Sequence, residues 1–196
     1  MENLIRDLAA RYDFDEECVE YLKENLVLRT YGKDEEVVAT GGMNPSVYFI
    51  RKGVWRTSIF RDGEEWTLWF SVAGDYDLSP WCQIDVRPSR YTITSSSRSE
   101  AVEFSQQLIA ELSQRSSAFL LFMRDLYARM MLHTDEVLLT LSSPNAKDRY
   151  LALIDDLPEV CRLVAQKEVA RFLGITPQSL SRIRRQIKEA KAPKNR

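Results

Sequence analysis

Residues 164–187 read Val-Ala-Gln-Lys-Glu-Val-Ala-Arg-Phe-Leu-Gly-Ile-Thr-Pro-Gln-Ser-Leu-Ser-Arg-Ile-Arg-Arg-Gln-Ile, which is two short amphipathic segments on either side of one glycine. Apolar residues recur at helical spacing in both segments, at Val169, Ala170 and Leu173 in the first and at Leu180, Ile183 and Ile187 in the second. This spacing predicts two helices that pack against each other through their apolar faces.

The corner between these helices is encoded by four consecutive residues. Gly174 is expected to take the left-handed conformation that turns a helix end sharply. Ile175 fills the corner, and Thr176 followed by Pro177 is the sequence of an N-cap and a first helical residue. Residues 167–188 therefore predict a helix-turn-helix.

The second helix carries a polar and basic outward face. In a helix-turn-helix, early residues of the second helix reach base edges in the major groove, and other cations contact phosphates. The predicted base-reading residues are Gln178, Ser179 and Arg182. The predicted phosphate contacts are Lys167, Arg184, Arg185 and Lys188. The alternative is a helical hairpin whose charged side merely faces solvent.

The charge of the chain is divided unevenly along its length. The formal net charge is −2. Residues 146–196 contain 12 Lys and Arg against 6 Asp and Glu, a net +6, so residues 1–145 contain 15 against 23, a net −8. A basic end is typical of a segment that binds polyanions, and here it coincides with the predicted helix-turn-helix.

The first hundred residues have a different pattern. Residues 1–25 predict one or two short helices, broken near Asp13 and capped at Asp15. Short β-rich runs follow, at residues 47–50, 54–60, 65–72 and 91–95. The pair Asp62-Gly63 predicts a tight hairpin. Many short strands with regular turns indicate an antiparallel barrel, roll or sandwich.

A long helix is predicted between these two parts, since residues 114–141 contain neither Gly nor Pro. One seam alternates steps of four and three, which is the pattern of a two-stranded coiled coil, and a second apolar face would rest on the β domain. The seam consists of Phe119, Met123, Leu126, Met130, His133 and Val137, and the second face of Leu120, Tyr127, Met131 and Leu138. A long core helix within a monomer is the alternative.

Ser142-Ser143-Pro144-Asn145 ends this helix, because proline cannot continue its hydrogen-bond ladder. The expected domains are a sensor at residues 1–113, a dimerisation helix and hinge at 114–143, and a DNA-binding domain at 144–196. A short helix at residues 146–154 is expected to open the third domain.

Other classes of protein are poorly supported by the composition. Three scattered cysteines, Cys18, Cys82 and Cys161, suggest reduced thiols and neither a disulfide framework nor an iron–sulfur cluster. The single histidine speaks against a cupin-type metalloenzyme, so we expect no metal, no catalytic residues and no enzymatic activity. No run approaches the length of a membrane span and no secretory signal begins the chain, so the cytoplasm is the expected location.

The sequence resembles the Crp/Fnr family of bacterial transcription regulators. The run Val-Tyr-Phe-Ile-Arg-Lys-Gly at 47–53, with Arg56 and the turn at 62–64, is similar to the family's β-roll signature, and residues 166–182 resemble its helix-turn-helix. The resemblance implies an α+β fold: an N-terminal antiparallel β-roll like a cyclic-nucleotide-binding domain, a long dimerisation helix and a C-terminal winged helix-turn-helix. It implies double-stranded DNA and a second copy of the chain as partners, and it allows RNA polymerase and a small-molecule effector.

The effector region departs from the family pattern. Gly74-Asp75 stands near the first effector-binding element, but the second reads Arg-Pro-Ser-Arg-Tyr-Thr at 87–92, where cyclic-AMP-binding members have an arginine followed by a hydroxyl residue. We expect an effector pocket at Gly74, Asp75 and Arg90, edged by Trp69 and Trp81, that does not favour a cyclic nucleotide, and we expect no cofactor. The wing hairpin is expected to be missing or very short. The alternative function is a ligand-binding regulatory or scaffold protein whose helix-turn-helix does not read DNA.

Overall fold

The computed structural model describes residues 1–191, and residues 192–196 of the expected third domain lie outside it. The chain begins with two helices, α1 (Glu2–Tyr12) and α2 (Glu16–Asn25). Asp13 separates them in the left-handed conformation, with φ of 58°. The Asp15 side chain caps α2 by accepting a hydrogen bond from the Cys18 backbone N–H at 2.8 Å. The predicted break and cap are confirmed.

Eight strands of the described chain form two antiparallel sheets that together make a β-roll. The strands are β1 (Val27–Tyr31), β2 (Glu36–Val38), β3 (Val47–Lys52), β4 (Val54–Arg61), β5 (Glu64–Val72), β6 (Tyr76–Asp77), β7 (Thr92–Ser95) and β8 (Ser99–Phe104). The first sheet has the order β1-β8-β3-β6 and the second β2-β7-β4-β5. The side chains between the sheets include the fully buried Ile50, Trp55 and Ile93.

Two turns of the roll depend on glycine. Asp62 and Gly63 join β4 to β5 with φ of 54° and 81°, so the predicted tight hairpin is confirmed. Gly53 joins β3 to β4 with φ of 98°, and a Cβ there would lie 2.5 Å from the Ser99 Cβ. A side chain at residue 53 would therefore separate β3 and β8.

Helices cover the outer face of the first sheet. A short helix, α3 (Pro80–Gln83), follows β6, and α4 (Gln106–Arg115) and α5 (Ser117–Ser142) follow β8. The helices α1, α2, α4 and α5 share one core with this sheet, in which Phe104, Phe119 and Phe122 are buried. The predicted long helix is present, although Gln114 and Arg115 belong to α4.

The predicted seam of α5 is wrong for its first half. Phe119, Met123 and Leu126 are 0%, 5% and 2% exposed, because they pack into the core of their own chain. The apolar residues that α5 exposes, here called its outer face, are Leu120, Leu121, Met131, Leu132, Leu138 and Leu139, which are 46% to 72% exposed. Helical periodicity gives the spacing of two apolar faces but does not say which one meets the sheet.

The remainder of the seam also contacts its own chain. Met130 packs against the core of the roll, and Val137 packs against the C-terminal helices. His133 is half-buried. The expectation that Leu120, Met131 and Leu138 rest on the β domain is wrong as well, since all three are exposed. Tyr127 of that face does pack against the roll.

Four helices complete the described chain: α6 (Ala146–Asp156), α7 (Pro158–Leu163), α8 (Gln166–Phe172) and α9 (Pro177–Lys191). Their core continues into the second sheet, where Val54 and Phe70 are buried against them. The rings of Phe70 and Phe172 lie 5.4 Å apart between centroids. The third domain therefore packs directly onto the roll.

No wing hairpin is present within the described residues, since 106–191 form helices and their connections.

Candidate nucleic-acid interface

The corner between α8 and α9 has the geometry that the sequence predicts. Gly174 has φ of 65°, and the Ile175 N–H donates to the Ala170 carbonyl at 3.0 Å. The Thr176 hydroxyl caps α9 by accepting from the Ser179 N–H at 3.2 Å. Nothing lies within 4 Å of a Cβ added at residue 174, so the backbone conformation and not space calls for glycine there.

Helix α9 presents one apolar and one basic face. Leu180 is 1% exposed, and Ile183 and Ile187 pack against the same core. The opposite face exposes the predicted residues Gln178, Arg182, Arg184, Arg185 and Lys188. Lys167, at the start of α8, is exposed as well. Six of the seven predicted DNA contacts are therefore exposed.

Ser179 differs from the other predicted base-reading residues. Its side chain is half-buried, and its Oγ accepts a hydrogen bond from the Thr176 hydroxyl at 3.0 Å. Part of its hydrogen-bonding capacity is therefore used within the cap of α9. A contact with a base would have to share this hydroxyl.

Few internal partners compete for the cations of this face. Arg185 lies 3.8 Å from Glu189 with both side chains about 70% exposed, and Lys167 lies 3.6 Å from Glu168. An exposed ion pair such as that of Arg185 with Glu189 contributes about 0–1 kcal/mol, so a phosphate can replace Glu189 at little cost. Lys167 is itself 67% exposed, whereas its partner Glu168 is 6% exposed and also pairs with Arg171.

Arg149 supports the interface from behind and was not singled out by the sequence. Its guanidinium donates to the Leu173 carbonyl at 2.9 and 3.2 Å and to the Ser143 carbonyl at 2.6 Å. These bonds satisfy a carbonyl at the end of α8 and connect the corner to the hinge after α5. No local pattern marks the residue, because its partners are 6 and 24 residues away.

A cluster of four charged residues, the ion cluster, connects the third domain to the roll. Arg56 and Glu65 on β4 and β5 pair with each other and with Glu168 and Arg171 on α8. Arg171 lies 2.8 Å from Glu65 and 3.0 Å from Glu168, whose side chain is 6% exposed. The cluster fixes α8, and with it the corner, against the β4–β5 hairpin.

A cleft of about 370 Å³ lies between the roll and α5. Two of the predicted effector residues, Gly74 and Asp75, line it together with Trp69. Burial raises the pKa of the Asp75 carboxyl, whose one oxygen accepts from the Val72 N–H at 2.8 Å. The structure therefore places these three residues beside a pocket.

The assignment of Arg90 to this cleft is wrong. Arg90 is exposed, and its guanidinium carbon lies 5.0 Å from the ring centroid of Trp81, which does not line the cleft either. The reason is the neighbouring Tyr91, which is 6% exposed and whose hydroxyl donates to the Leu78 carbonyl at 3.1 Å. Tyr91 takes the inward position at the bend directly before β7, and Arg90 beside it is left on the surface.

Residues from α5 complete the cleft. Leu126, Met130 and His133, which the sequence placed on a dimer seam, line it with Tyr127. No sequence pattern indicated this role, because the cleft forms only when α5 packs on the roll.

Two further classes of site are not found in the described part of the chain. Residues 1–191 contain no group of three or more His, Cys, Asp or Glu side chains placed to bind a metal ion. None of the helices described has both the length and the hydropathy to span a lipid bilayer.

Comparison of the sequence with protein-family models and with curated proteins finds no match. Solved structures do match. FixK2 from Bradyrhizobium japonicum has a TM-score of 0.69 at 18% identity, over 84% of this chain and 85% of that one. CLP from Xanthomonas campestris, described as a c-di-GMP-responsive global regulator, has a TM-score of 0.66 at 18% identity, over 90% and 93%. TTHB099 from Thermus thermophilus, described as a transcriptional regulator of the CRP family, has a TM-score of 0.66 at 18% identity, over 83% of this chain and 85% of that one.

Proposed function

We propose that this protein, which has the α+β fold of Crp/Fnr transcriptional regulators, is itself a DNA-binding regulator of transcription. The observation that carries the proposal is the basic face of α9, exposed on a helix that the Gly174 corner and the Thr176 cap hold in place. The same helix buries Leu180 against α8, so the face cannot turn inward without loss of the core.

Each exposed residue of α9 has a role in this proposal. Arg182 can donate two hydrogen bonds to a guanine, and Gln178 can pair with an adenine through its amide. Ser179 contacts a base or a neighbouring phosphate with the hydroxyl that also serves the cap. Lys167, Arg184, Arg185 and Lys188 bind phosphates and fix the register of the protein on the duplex.

We further propose that the protein binds DNA as a homodimer through the outer face of α5. Six large apolar side chains exposed along one helix are more than a monomer ordinarily leaves in water. A second copy of the same helix would cover them with a symmetric and self-complementary contact. Two recognition helices would then address half-sites about 34 Å apart on a roughly palindromic site.

The partners of such a regulator follow from this proposal. It would act on chromosomal DNA in the cytoplasm and would contact RNA polymerase to raise or lower transcription. No step of this activity requires catalysis or a cofactor. A ligand-binding regulatory or scaffold protein that does not read DNA is the second candidate, because the cleft beside α5 exists independently of the basic face.

Selection of bound fragments from genomic DNA, followed by sequencing, tests the proposal. We expect an enriched motif of two inverted half-sites whose centres are one helical turn apart. A protein carrying both Gln178→Ala and Arg182→Ala is the control and should enrich no motif. Recovery of random fragments by the unaltered protein would refute the regulatory function and would favour the scaffold alternative.

A further inference from the structure

The cleft between the roll and α5 is lined mainly by aromatic and apolar side chains, among them Trp69, Tyr76, Tyr91, Leu126 and Met130. Its volume of about 370 Å³ lies toward the lower end of the roughly 300–1,000 Å³ of small-molecule sites. Such a lining suits a compact ligand with few polar atoms.

The tyrosine hydroxyls next to the cleft are already used within the protein. The Tyr91 hydroxyl donates to the Leu78 carbonyl at 3.1 Å, and the Tyr127 hydroxyl donates to the Gln83 side chain. Both residues therefore contribute ring atoms to the cleft more than free hydrogen-bonding groups. The Ser71 hydroxyl is likewise engaged, since it donates to Asp77 at 2.8 Å.

His133 is the exception among the polar residues of the cleft. Its Nε2 atom is buried and has no hydrogen-bond partner in the described protein. A buried polar atom without a partner costs about 1–3 kcal/mol, and turning the ring so that this nitrogen meets a ligand's hydrogen-bonding group in the cleft would recover that cost. Because His133 lines the cleft and no hydrogen bond within the described protein holds its ring, this side chain is the partner for a ligand's polar group.

The charges around the cleft disfavour an anion. Asp75 lines the cleft, and Glu136 adds negative charge close to Asp75. Arg129 is the arginine that lines the cleft with Asp75, and its side chain is exposed, so water screens its charge. A phosphate or carboxylate placed here would lose its hydration without gaining a buried cationic partner.

We propose that this cleft binds an uncharged, largely apolar molecule of one or two rings that carries one hydrogen-bonding group, and that this group pairs with His133. If the protein reads DNA, the ligand would be an effector of DNA binding, and this part of the inference rests on the proposed function. The occupancy of the cleft itself does not depend on whether the protein reads DNA.

Three probes with one ring system test the ligand class: 2-naphthol, naphthalene and 2-naphthoate. Binding to the full chain without DNA is followed by titration calorimetry and by quenching of tryptophan fluorescence, since Trp69 lines the cleft. We expect 2-naphthol to bind about fivefold more tightly than naphthalene, the effect of about one neutral hydrogen bond. We expect 2-naphthoate and cyclic AMP to bind at least about tenfold more weakly than 2-naphthol.

Two variants locate the site. His133→Phe keeps a ring but removes the nitrogen, so the affinity for 2-naphthol should fall to that for naphthalene. Because Nε2 has no partner to lose, this variant should unfold at the same temperature as the original protein or higher. Thr134→Trp places a large ring into the cleft from an exposed helix position and should abolish binding, and Thr134→Ser is the matched control that leaves the space open.

Several results would overturn the inference. They are equal or tighter binding of 2-naphthoate or cyclic AMP, no binding of any probe by the folded protein, or unchanged 2-naphthol binding in Thr134→Trp. A protein that binds 2-naphthol in this way but enriches no DNA motif would retain the ligand site and lose the proposed regulatory function.

Discussion

Arg182 and Lys188 both extend from the exposed face of α9, but the proposal gives them different tasks. Arg182→Ala should cost about 1–3 kcal/mol of binding to the selected site and relax the preference at one base position. Lys188→Ala should weaken binding to all sequences alike and reduce the slope of log affinity against log salt by about 1. Fluorescence anisotropy with the selected duplex and a scrambled duplex, at several salt concentrations, measures both effects.

Gln186→Ala, at an exposed position of the same helix with no assigned role, is the control for these substitutions. If Arg182→Ala weakened binding to the selected and to the scrambled duplex by the same factor, Arg182 would contact a phosphate and not a base. A loss of specificity in Lys188→Ala would contradict its assignment in the same way.

Asp77 gives a second prediction at the scale of a single residue. Burial raises the pKa of its carboxyl from 3.8 to about 7. The folded protein therefore holds this proton more tightly than the unfolded chain does, and the associated stability is present below about pH 4 and lost as the pH rises through about 7. The free energy of unfolding should fall between about pH 5 and pH 8 for this reason.

Asp77→Asn should remove this dependence. The amide oxygen can still accept from the Leu78 N–H, which now donates to the carboxylate at 2.9 Å, and the Ser71 hydroxyl can turn to accept from the amide. Urea unfolding measures the effect. The free energy of unfolding of the variant, relative to that of the original protein, should rise by roughly 1–3 kcal/mol as the pH goes from about 5 to about 8. Asp155→Asn, at an exposed position of α6, should show no such gain. Parallel pH profiles for Asp77→Asn and the original protein would show that Asp77 is ionised in the folded state.

At the scale of one element, α5 separates two kinds of apolar residue that its sequence does not distinguish. Leu126 is 2% exposed and Leu132 is 61% exposed, although both are leucines on one helix. Leu132→Glu should give a folded monomer, because the charge prevents contact between two outer faces. Leu126→Glu should instead unfold the protein, because a carboxylate would be buried in the core of the roll.

Sedimentation velocity and circular dichroism separate these outcomes. Leu132→Gln, which is polar but uncharged, should weaken the dimer less than Leu132→Glu does. If Leu132→Glu sedimented as a dimer, the proposed contact between outer faces would be wrong. A folded, monomeric Leu126→Glu variant would show that Leu126 lies in the dimer contact, as the sequence predicts.

The other elements differ in how far the sequence predicts them. The N-cap at Asp15, the hairpin at 62–63 and the corner at Gly174 are confirmed because each depends on a few adjacent residues. The helices α3 and α7 have four and six residues and were not predicted, since a helical period needs a longer window to be recognised. Pro158 is the first residue of α7, where proline is favoured.

At the scale of the whole molecule, the ion cluster connects the roll to α8, the first helix of the helix-turn-helix. Glu65→Gln and Arg171→Met should each increase local opening of α8 and α9, measured as faster amide hydrogen exchange in the two helices. The two residues interact directly. The double variant should therefore lower the free energy of local opening by about 0.5–3 kcal/mol less than the two single effects added together. The packing of Phe70 against Phe172 should keep the domains together in all three proteins.

Arg162→Met is the matched control for the ion cluster. Its pair with Glu159 is exposed and lies within α7, so its loss should leave exchange in α8 and α9 unchanged. Strictly additive effects of Glu65→Gln and Arg171→Met would show that the cluster does not act as a unit.

The sequence by itself determined the order of the parts, the antiparallel strands, the helix-turn-helix and most of its exposed basic face. These features follow from local rules: a period of two or about four residues, a cap, a turn or a glycine with positive φ. Only the tertiary structure decided which face of α5 is buried, that Arg90 points away from the cleft, and that His133 and Asp75 share it with Trp69. These relations join residues far apart in the chain, and the packing of α5 on the roll, which no local pattern specifies, brings them together.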